Sequence, residues 1–176
     1  MKTLPSPRRF PQARRFCLLA VLMSFALNLC AQSGGTVRYD LGMFTIELPE
    51  ESREIDSEEA RQEGCLGWVT PGKDFVCAIC FFRFDEGFNP ETRFQEEADG
   101  LKFDLENSER FMITTGTEQV LRCALIRRSE SVYQAIALYP DFGQKRGTFM
   151  CLSTVGHENP DLLAYILSSF RLNQAD

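Results

Sequence analysis

An apolar segment at residues 75–84 constrains the fold of this chain more than any other feature. Nine of its ten residues are apolar, so both faces of a strand formed by this segment would be apolar. This composition is typical of a strand whose two faces are both covered by other layers of structure. The segment therefore predicts a strand in the middle of a sheet.

Shorter segments around this one also have the composition of strands. Phe44, Ile46 and Leu48 alternate with polar residues, which is the pattern of a strand with one buried face, within an opening segment at residues 36–48. Further strands are predicted at residues 65–69, 119–128, 131–139 and 148–155. Because consecutive strands are joined by short links, we expect antiparallel pairing.

Two main helices are predicted, near residues 90–106 and 160–171. Each follows an Asn-Pro-acid start, at Asn89 and at Asn159, which supplies a capping side chain, a first-turn proline and an acid at the positive end of the helix dipole. Apolar residues then recur at helical spacing. In the first helix they are Phe94, Ala98, Leu101 and Leu105, and in the second they are Leu162, Leu163, Ile166, Leu167 and Phe170.

The order of these elements predicts the fold class and the domain organisation. Strands come first, then a helix, then more strands and a closing helix, with no internal repeat or linker-like tract after Gly35. This order predicts a single α+β domain over residues 36–173, in which an antiparallel β-sheet is flanked by helices.

The first 31 residues have the organisation of a secretory signal peptide. Residues 1–15 carry five basic and no acidic residues, an apolar run covers residues 16–27, and Ala31 precedes a polar stretch. The apolar run is shorter than the roughly 20 residues that a spanning helix needs, so no membrane span is expected after cleavage. We predict cleavage after Ala31 and export to the periplasm or the cell exterior. The alternative is a lipid anchor on Cys30, which the bulky Leu29 before it disfavours.

The charge of the chain argues against one class of partner. Beyond residue 31 there are 14 basic and 25 acidic residues, which gives a net charge of −11. Such a domain repels phosphate backbones and anionic lipid headgroups. Nucleic acid is therefore not expected to bind.

Two segments resemble a known family. The opening sequence GMFTIELPE at residues 42–50 resembles the start of PsbP-like and DcrB-like exported proteins, and LAYILSSFRL at residues 163–172 resembles their final helix. The order of elements between the two segments also agrees. The resemblance implies an α/β/α sandwich, an antiparallel sheet flanked by helices, that is used for binding or assembly. It implies no shared catalytic motif.

Five cysteines follow the leader, namely Cys65, Cys77, Cys80, Cys123 and Cys151. Cys77 and Cys80 have the spacing of a thiol-disulfide redox pair, but inside a strand their side chains would point to opposite faces. Disulfides are permitted outside the cytoplasm, and an odd number leaves at least one thiol unpaired within the chain. The sequence leaves the pairing open, and buried, reduced core cysteines are the favoured interpretation for the strand positions.

No catalytic, cofactor-binding or metal site is predicted. His157 is the only histidine, and neither a Gly-x-Ser-x-Gly motif nor a glycine-rich phosphate loop is present. One histidine and scattered cysteines lack the paired spacing of a structural zinc site. No cofactor is therefore expected.

Candidate contact residues for a partner come from charge and from aromatic residues beside turns. The doubled basic pairs beyond the leader are predicted to form a positive spot at one end of the sheet. Aromatic residues beside turns are candidates for exposed contacts. The full set is Trp68, Phe142, Arg127, Arg128, Lys145 and Arg146.

The leading hypothesis is an exported, non-catalytic domain that binds a protein or a cell-envelope component. The alternative is a cysteine-based thiol or redox factor that uses Cys77 and Cys80. The accessibility of these two thiols in the folded protein separates the hypotheses, because a redox factor needs a reactive thiolate.

Overall fold

Seven antiparallel strands form the main sheet of the computed structural model, which describes residues 35–41, 44–115, 120–155 and 160–173. The strands in this part of the chain are β1 (Thr36–Asp40), β2 (Phe44–Pro49), β3 (Arg53–Glu54), β4 (Cys65–Val69), β5 (Phe75–Arg83), β6 (Glu109–Thr114), β7 (Val120–Ser129), β8 (Val132–Asp141), β9 (Arg146–Val155) and β10 (Arg171–Leu172). The helices are α1 (Glu58–Gln62), α2 (Pro90–Gly100) and α3 (Pro160–Ser169). The main sheet has the order β3-β4-β5-β9-β8-β7-β6, and a smaller sheet has the order β1-β2-β10. The predicted α+β class is confirmed.

Strand β5 lies inside the main sheet, as its composition predicted. It pairs with β4 on one side and with β9 along its whole length on the other. Residues 75–80 are all buried, because each face of the strand contributes to a separate core. Cys77 and Ile79 belong to one core, while Ala78 and Cys80 belong to the other.

The first core is covered by the small sheet and by α3. Strand β2 contributes Phe44, Ile46 and Leu48, each with no exposed surface. Helix α3 contributes Leu163, Ile166, Leu167 and Phe170, which have the helical spacing seen in the sequence. The backbone N–H of Glu47 donates a 2.9 Å hydrogen bond to Ser169 Oγ, so the small sheet and α3 form one joined layer.

The second core is covered by α1 and α2, and α2 begins where the sequence predicted. The side chain of Asn89 accepts hydrogen bonds from the backbone N–H groups of Glu91 and Thr92, at 2.9 and 3.2 Å. Phe94 and Ala98 then face the core. These contacts agree with the predicted cap and the predicted apolar stripe.

Helix α2 ends at Gly100, so the prediction that it extends to residue 106 is wrong. Lys102 has a φ of 54°, which interrupts the helix, and the Phe103 N–H turns back to the Ala98 carbonyl at 2.8 Å. Leu105 is buried against the same core, but it is placed there by the loop. The helical spacing of Leu105 was therefore coincidental.

Strand β6, at the sheet edge, was not predicted. Its burial alternates between exposed and half-buried, because only Phe111 and Ile113 pack against a core. The division of residues 36–48 into two strands and their pairing in a second sheet were not predicted either. The second predicted helix ends at Ser169, two residues early, and the chain continues into β10.

Candidate aromatic binding groove

The two basic pairs do not form one positive spot, so that prediction is wrong. Arg127 lies opposite Tyr133 near the start of β8, whereas Arg146 lies opposite Asp141 at its end. These positions are eight steps apart along the strand, which corresponds to about 27 Å. The pairs therefore occupy opposite ends of the sheet.

The arginines of the first pair hold a hairpin and a loop in place. Arg127 donates hydrogen bonds to the carbonyls of Ser129 and Glu130 in the β7–β8 turn. Arg128 donates to the Lys102 carbonyl at 2.7 Å, beyond the end of α2. These guanidinium groups keep their charge, but their donors are used to stabilise the turn and the loop.

The second pair lies beside the other end of the sheet and is also partnered. Lys145 Nζ lies 3.2 Å from Glu86 Oε1, and Arg146 Nε lies 3.2 Å from Asp141 Oδ2. The backbone carbonyl of Lys145 accepts a 3.1 Å hydrogen bond from the N–H of Phe84. These contacts fasten the segment after β5 to the β8–β9 hairpin.

Trp68 cannot be a surface contact residue, because only 1% of it is exposed. It lies opposite Cys77 in the pairing of β4 with β5, and its ring makes an edge contact with Tyr39 at 6.3 Å. Its place beside a turn in the sequence did not expose it, since the small sheet covers this face. Trp68 therefore belongs to the first core.

Phe142 is exposed as predicted, and it belongs to an aromatic cluster formed by Phe82, Phe84, Phe88 and Phe142. Its own exposure is 60%. Phe84 and Phe88 are stacked with ring centroids 4.0 Å apart, and Phe142 makes edge contacts with both, at 5.7 and 6.3 Å. Edge-to-face and offset contacts of this kind are favourable for aromatic rings.

The chain turns sharply to build this cluster. After β5 ends at Arg83, the N–H of Phe88 donates to the Asp85 carbonyl at 3.3 Å. Gly87 adopts a φ of 91°, a conformation that side chains with a Cβ rarely tolerate. The turn brings Phe88 back over Phe84 and leads directly into the cap of α2.

A groove of about 390 Å³ lies between three rings of this cluster (Phe82, Phe84 and Phe88) and the first turns of α2, while Phe142 lies beside it, in contact with Phe84 and Phe88. Phe82, which is 8% exposed, is the most buried ring in it. The groove is lined by Phe82, Arg83, Phe84, Gly87, Phe88, Asn89, Thr92, Arg93 and Glu96. It therefore combines rings, a helix start and charged side chains at one end of the sheet.

Two arginines line the groove, and one of them is already ion-paired. Arg93 lies with its guanidinium carbon 4.8 Å from the Phe82 ring centroid and forms an ion pair with the buried Glu97 carboxylate, while its Nε is buried without a hydrogen-bond partner. Arg83 is exposed and makes no side-chain hydrogen bond or ion pair within the described residues. Glu96, 3.8 Å from Arg93, is the one acid in the lining.

The cysteines do not form the redox pair of the alternative hypothesis. Cys65 and Cys80 are directly opposite each other in β4 and β5 and are joined by a disulfide, whereas Cys77 faces the other core. A bond between Cys77 and Cys80 would need both sulfurs on one side of the strand. The redox-pair prediction is therefore wrong, and β4 is covalently tied to β5.

The remaining thiols in the described residues are buried, as the core-cysteine interpretation predicted. Burial raises the pKa of the Cys77 thiol, with a smaller contribution from the nearby Cys151, and it raises the pKa of Cys123 to about 12. Burial also raises the pKa of Cys151 to about 12. Thiols with such pKa values are protonated and poorly nucleophilic at neutral pH.

Neither a metal site nor a membrane-spanning helix occurs among the residues that the structure describes. No three potential metal ligands lie together there, and none of those helices has the length and apolar character needed to cross a bilayer. His157 and the leader at residues 1–31 lie outside the described residues.

Solved structures of low sequence identity share this arrangement of sheets and helices. Cyanobacterial PsbP (CyanoP) from Synechocystis sp. PCC 6803 matches with a TM-score of 0.53 and 13% identity, over 84% of this chain and 99% of that one. The chain has a PsbP-like fold. The Ran-binding protein Mog1p of Saccharomyces cerevisiae matches this PsbP-like chain with a TM-score of 0.52 and 11% identity, over 80% of this chain and 96% of that one. No protein-family model and no curated protein matches the sequence.

Only one residue of the aromatic cluster, Phe142, was predicted from the sequence as a contact residue. Phe142 was identified because it lies beside a turn, but Phe82 and Phe84 were placed within the predicted strand and no role was predicted for Phe88. The signal available in the sequence was a set of three phenylalanines, Phe82, Phe84 and Phe88, with Gly87 between the last two and the Asn89 helix cap directly after them. The PsbP-like fold brings them together with a hairpin more than 50 residues further along the chain.

Proposed function

We propose that this chain is an exported, non-catalytic domain that binds another protein through the aromatic groove. The observation that carries the proposal is the aromatic cluster, in which Phe142 is mostly exposed and Phe84 and Phe88 are only half buried. Exposed aromatic side chains are enriched at protein interfaces, where they contribute much of the binding free energy. The 3.1 Å hydrogen bond from the Phe84 N–H to the Lys145 carbonyl joins the two segments that carry these rings, so the cluster has a defined backbone support.

The structural neighbours support a binding role. Mog1p, which shares the fold, is described as a Ran-binding protein. Fold alone does not transfer a function, so the proposal depends on the groove of this chain. The buried, protonated thiols favour a binding role over cysteine chemistry.

Export is supported by the leader and by the Cys65–Cys80 disulfide, since oxidising compartments outside the cytoplasm preserve such bonds. N-terminal sequencing of the protein recovered from the native cell should begin at or near Gln32. Recovery of an intact Met1 would contradict cleavage. Metabolic labelling with a fatty acid would instead identify the lipid anchor at Cys30.

Site-specific photocrosslinking tests the binding surface. A photoreactive phenylalanine analogue at Phe142 should crosslink one discrete protein in intact cells, and excess unmodified protein should suppress the product. The control carries the analogue at Met112, which is 65% exposed but lies on the edge strand β6. Crosslinking of the same protein with equal yield from both positions, or no crosslink from Phe142, would contradict this use of the groove.

A further inference from the structure

We propose that the free edge of strand β6 pairs with the β6 strand of a second copy of this chain, so that two copies form an antiparallel dimer. Strand β6 is the last strand of the main sheet, and β7 is its only strand partner among the described residues. An unpaired strand edge presents a row of backbone donors and acceptors that another strand can satisfy. This surface is separate from the aromatic groove, because β5 lies four strands away, which is about 19 Å.

Strand β6 lacks the features by which proteins protect a sheet edge. Its six residues pair with β7 without a bulge and include neither proline nor lysine. Its one basic residue is Arg110, whose guanidinium lies 3.6 Å from the Glu91 carboxylate of α2 and donates to the Leu105 carbonyl at 3.3 Å. The opposite edge of the main sheet is protected, since β3 is only two residues long and both residues are charged.

The same edge carries exposed apolar side chains. Met112 is 65% exposed, and Val120, which lies opposite Thr114 and therefore on the same face as Met112, is 46% exposed. On the other face, Phe111 and Ile113 pack against the first core but are only half buried. Exposed apolar residues that lie together, rather than singly, mark interaction surfaces.

The residue order of β6 identifies a second copy as its partner, because the strand is complementary to itself. In an antiparallel pair related by a two-fold axis, one residue lies opposite its own copy. With Met112 on the axis, Phe111 lies opposite Ile113 of the second copy, and Arg110 lies opposite Thr114. Apolar residues then meet apolar residues on both faces, and no like charges are opposed.

Other registers of the same pairing are less favourable. An axis at Phe111 would oppose Arg110 to Met112, and an axis at Arg110 would oppose two guanidinium groups. An axis at Ile113 would pair only three residues of β6 with their copies, whereas the axis at Met112 pairs five. The self-complementary register therefore places Met112 at the centre of the dimer.

Sedimentation equilibrium over a wide range of protein concentrations tests the dimer and its register. The unaltered protein should convert reversibly from monomer to dimer as its concentration rises. Met112→Lys and Met112→Glu should each raise the dimer dissociation constant roughly tenfold or more, because like charges would face each other across the axis and an apolar contact would be lost. An equimolar mixture of the two variants should associate more tightly than either variant alone, because a positive side chain then faces a negative one.

Val37→Lys provides the matched control, because Val37 is also an exposed apolar residue but lies on β1 of the small sheet. This variant should dimerise like the unaltered protein. Backbone amides of β6 should exchange with solvent more slowly as the dimer forms, because edge pairing protects them. A monomer at every concentration would overturn the inference, and so would a dimer that both Met112 substitutions leave intact or that leaves the β6 amides unprotected. None of these results bears on the groove, which crosslinking through Phe142 tests independently.

Discussion

Replacing Gly147 with Ala tests whether the packing of the main sheet sets the shape of the groove. Gly147 on β9 lies opposite Phe82 on β5, and the Phe82 ring lies over the glycine. A Cβ at position 147 would stand 2.7 Å from ring atom Cε2 and 2.9 Å from Cε1. Real Cβ contacts are not this short, so the ring must move, and it cannot move without disturbing Arg93 above it.

The expected cost follows from this geometry. Overpacking in a dense interior costs about 1–3 kcal/mol of unfolding free energy, and the methyl group meets an aromatic ring rather than a flexible chain end. Phe82→Ala alone should cost about 3 kcal/mol, the lower part of the range for phenylalanine, because the ring is at the margin of the second core. With the ring removed, the added methyl group has room, and Gly147→Ala should cost close to nothing.

A double-mutant cycle measures this coupling. Urea denaturation can be followed through Trp68, the single tryptophan, which is buried and will become exposed on unfolding. Gly147→Ala should be destabilising in the wild-type background and nearly neutral in the Phe82→Ala background, a coupling of at least ~1 kcal/mol. Equal costs in both backgrounds would refute the argument that Phe82 occupies the space above Gly147.

Three further outcomes are expected in the same denaturation assay. Phe170→Ala should lower the unfolding free energy by about 3–5 kcal/mol because the ring has no exposed surface, whereas Phe142→Ala should lower it little. Equal effects of the two substitutions would contradict the docking of α3. Reduction of the disulfide between Cys65 and Cys80, which are 15 residues apart, should lower the unfolding free energy by about 3 kcal/mol. An unchanged urea midpoint after reduction would contradict the presence of this disulfide. Burial holds the pKa of Cys151 near 12 in the folded protein, while an unfolded thiol ionises near 9. The unfolding free energy should therefore fall as the pH rises from 9 toward 12. Cys151→Ala should diminish this fall.

The parts of the fold that could be predicted are those in which burial determines composition. Strand β5 is buried on both faces, and its apolar run shows this directly. The cap at Asn89 was equally readable, since a capping side chain and a proline act within one turn. Strand β6 was missed because an edge strand needs few apolar residues, even though it pairs with β7, the next strand along the chain.

The candidate site was much less predictable than the fold. A turn residue such as Phe142 can be identified as exposed, but the rings it meets come from a segment far away in sequence. The positions of the doubled basic pairs depend on which ends of the strands come together, and the residues alone do not contain that register. Trp68 shows the same difficulty, since the layer that buries it begins more than 20 residues earlier.

The groove and the core are joined through one strand, and this determines which changes can alter binding without unfolding the chain. Strand β5 places Cys80 and Phe82 in the second core and then releases the chain at Arg83 into the turn that carries Phe84. Substitutions at Phe82 therefore act on stability and on the groove together. Arg83 and Phe142 lie outside the cores, so substitutions there should leave stability unchanged and test the proposed binding surface separately from the scaffold. For that reason, a Phe142→Ala variant that binds its partner poorly at unchanged stability would be stronger evidence for the groove than any core substitution.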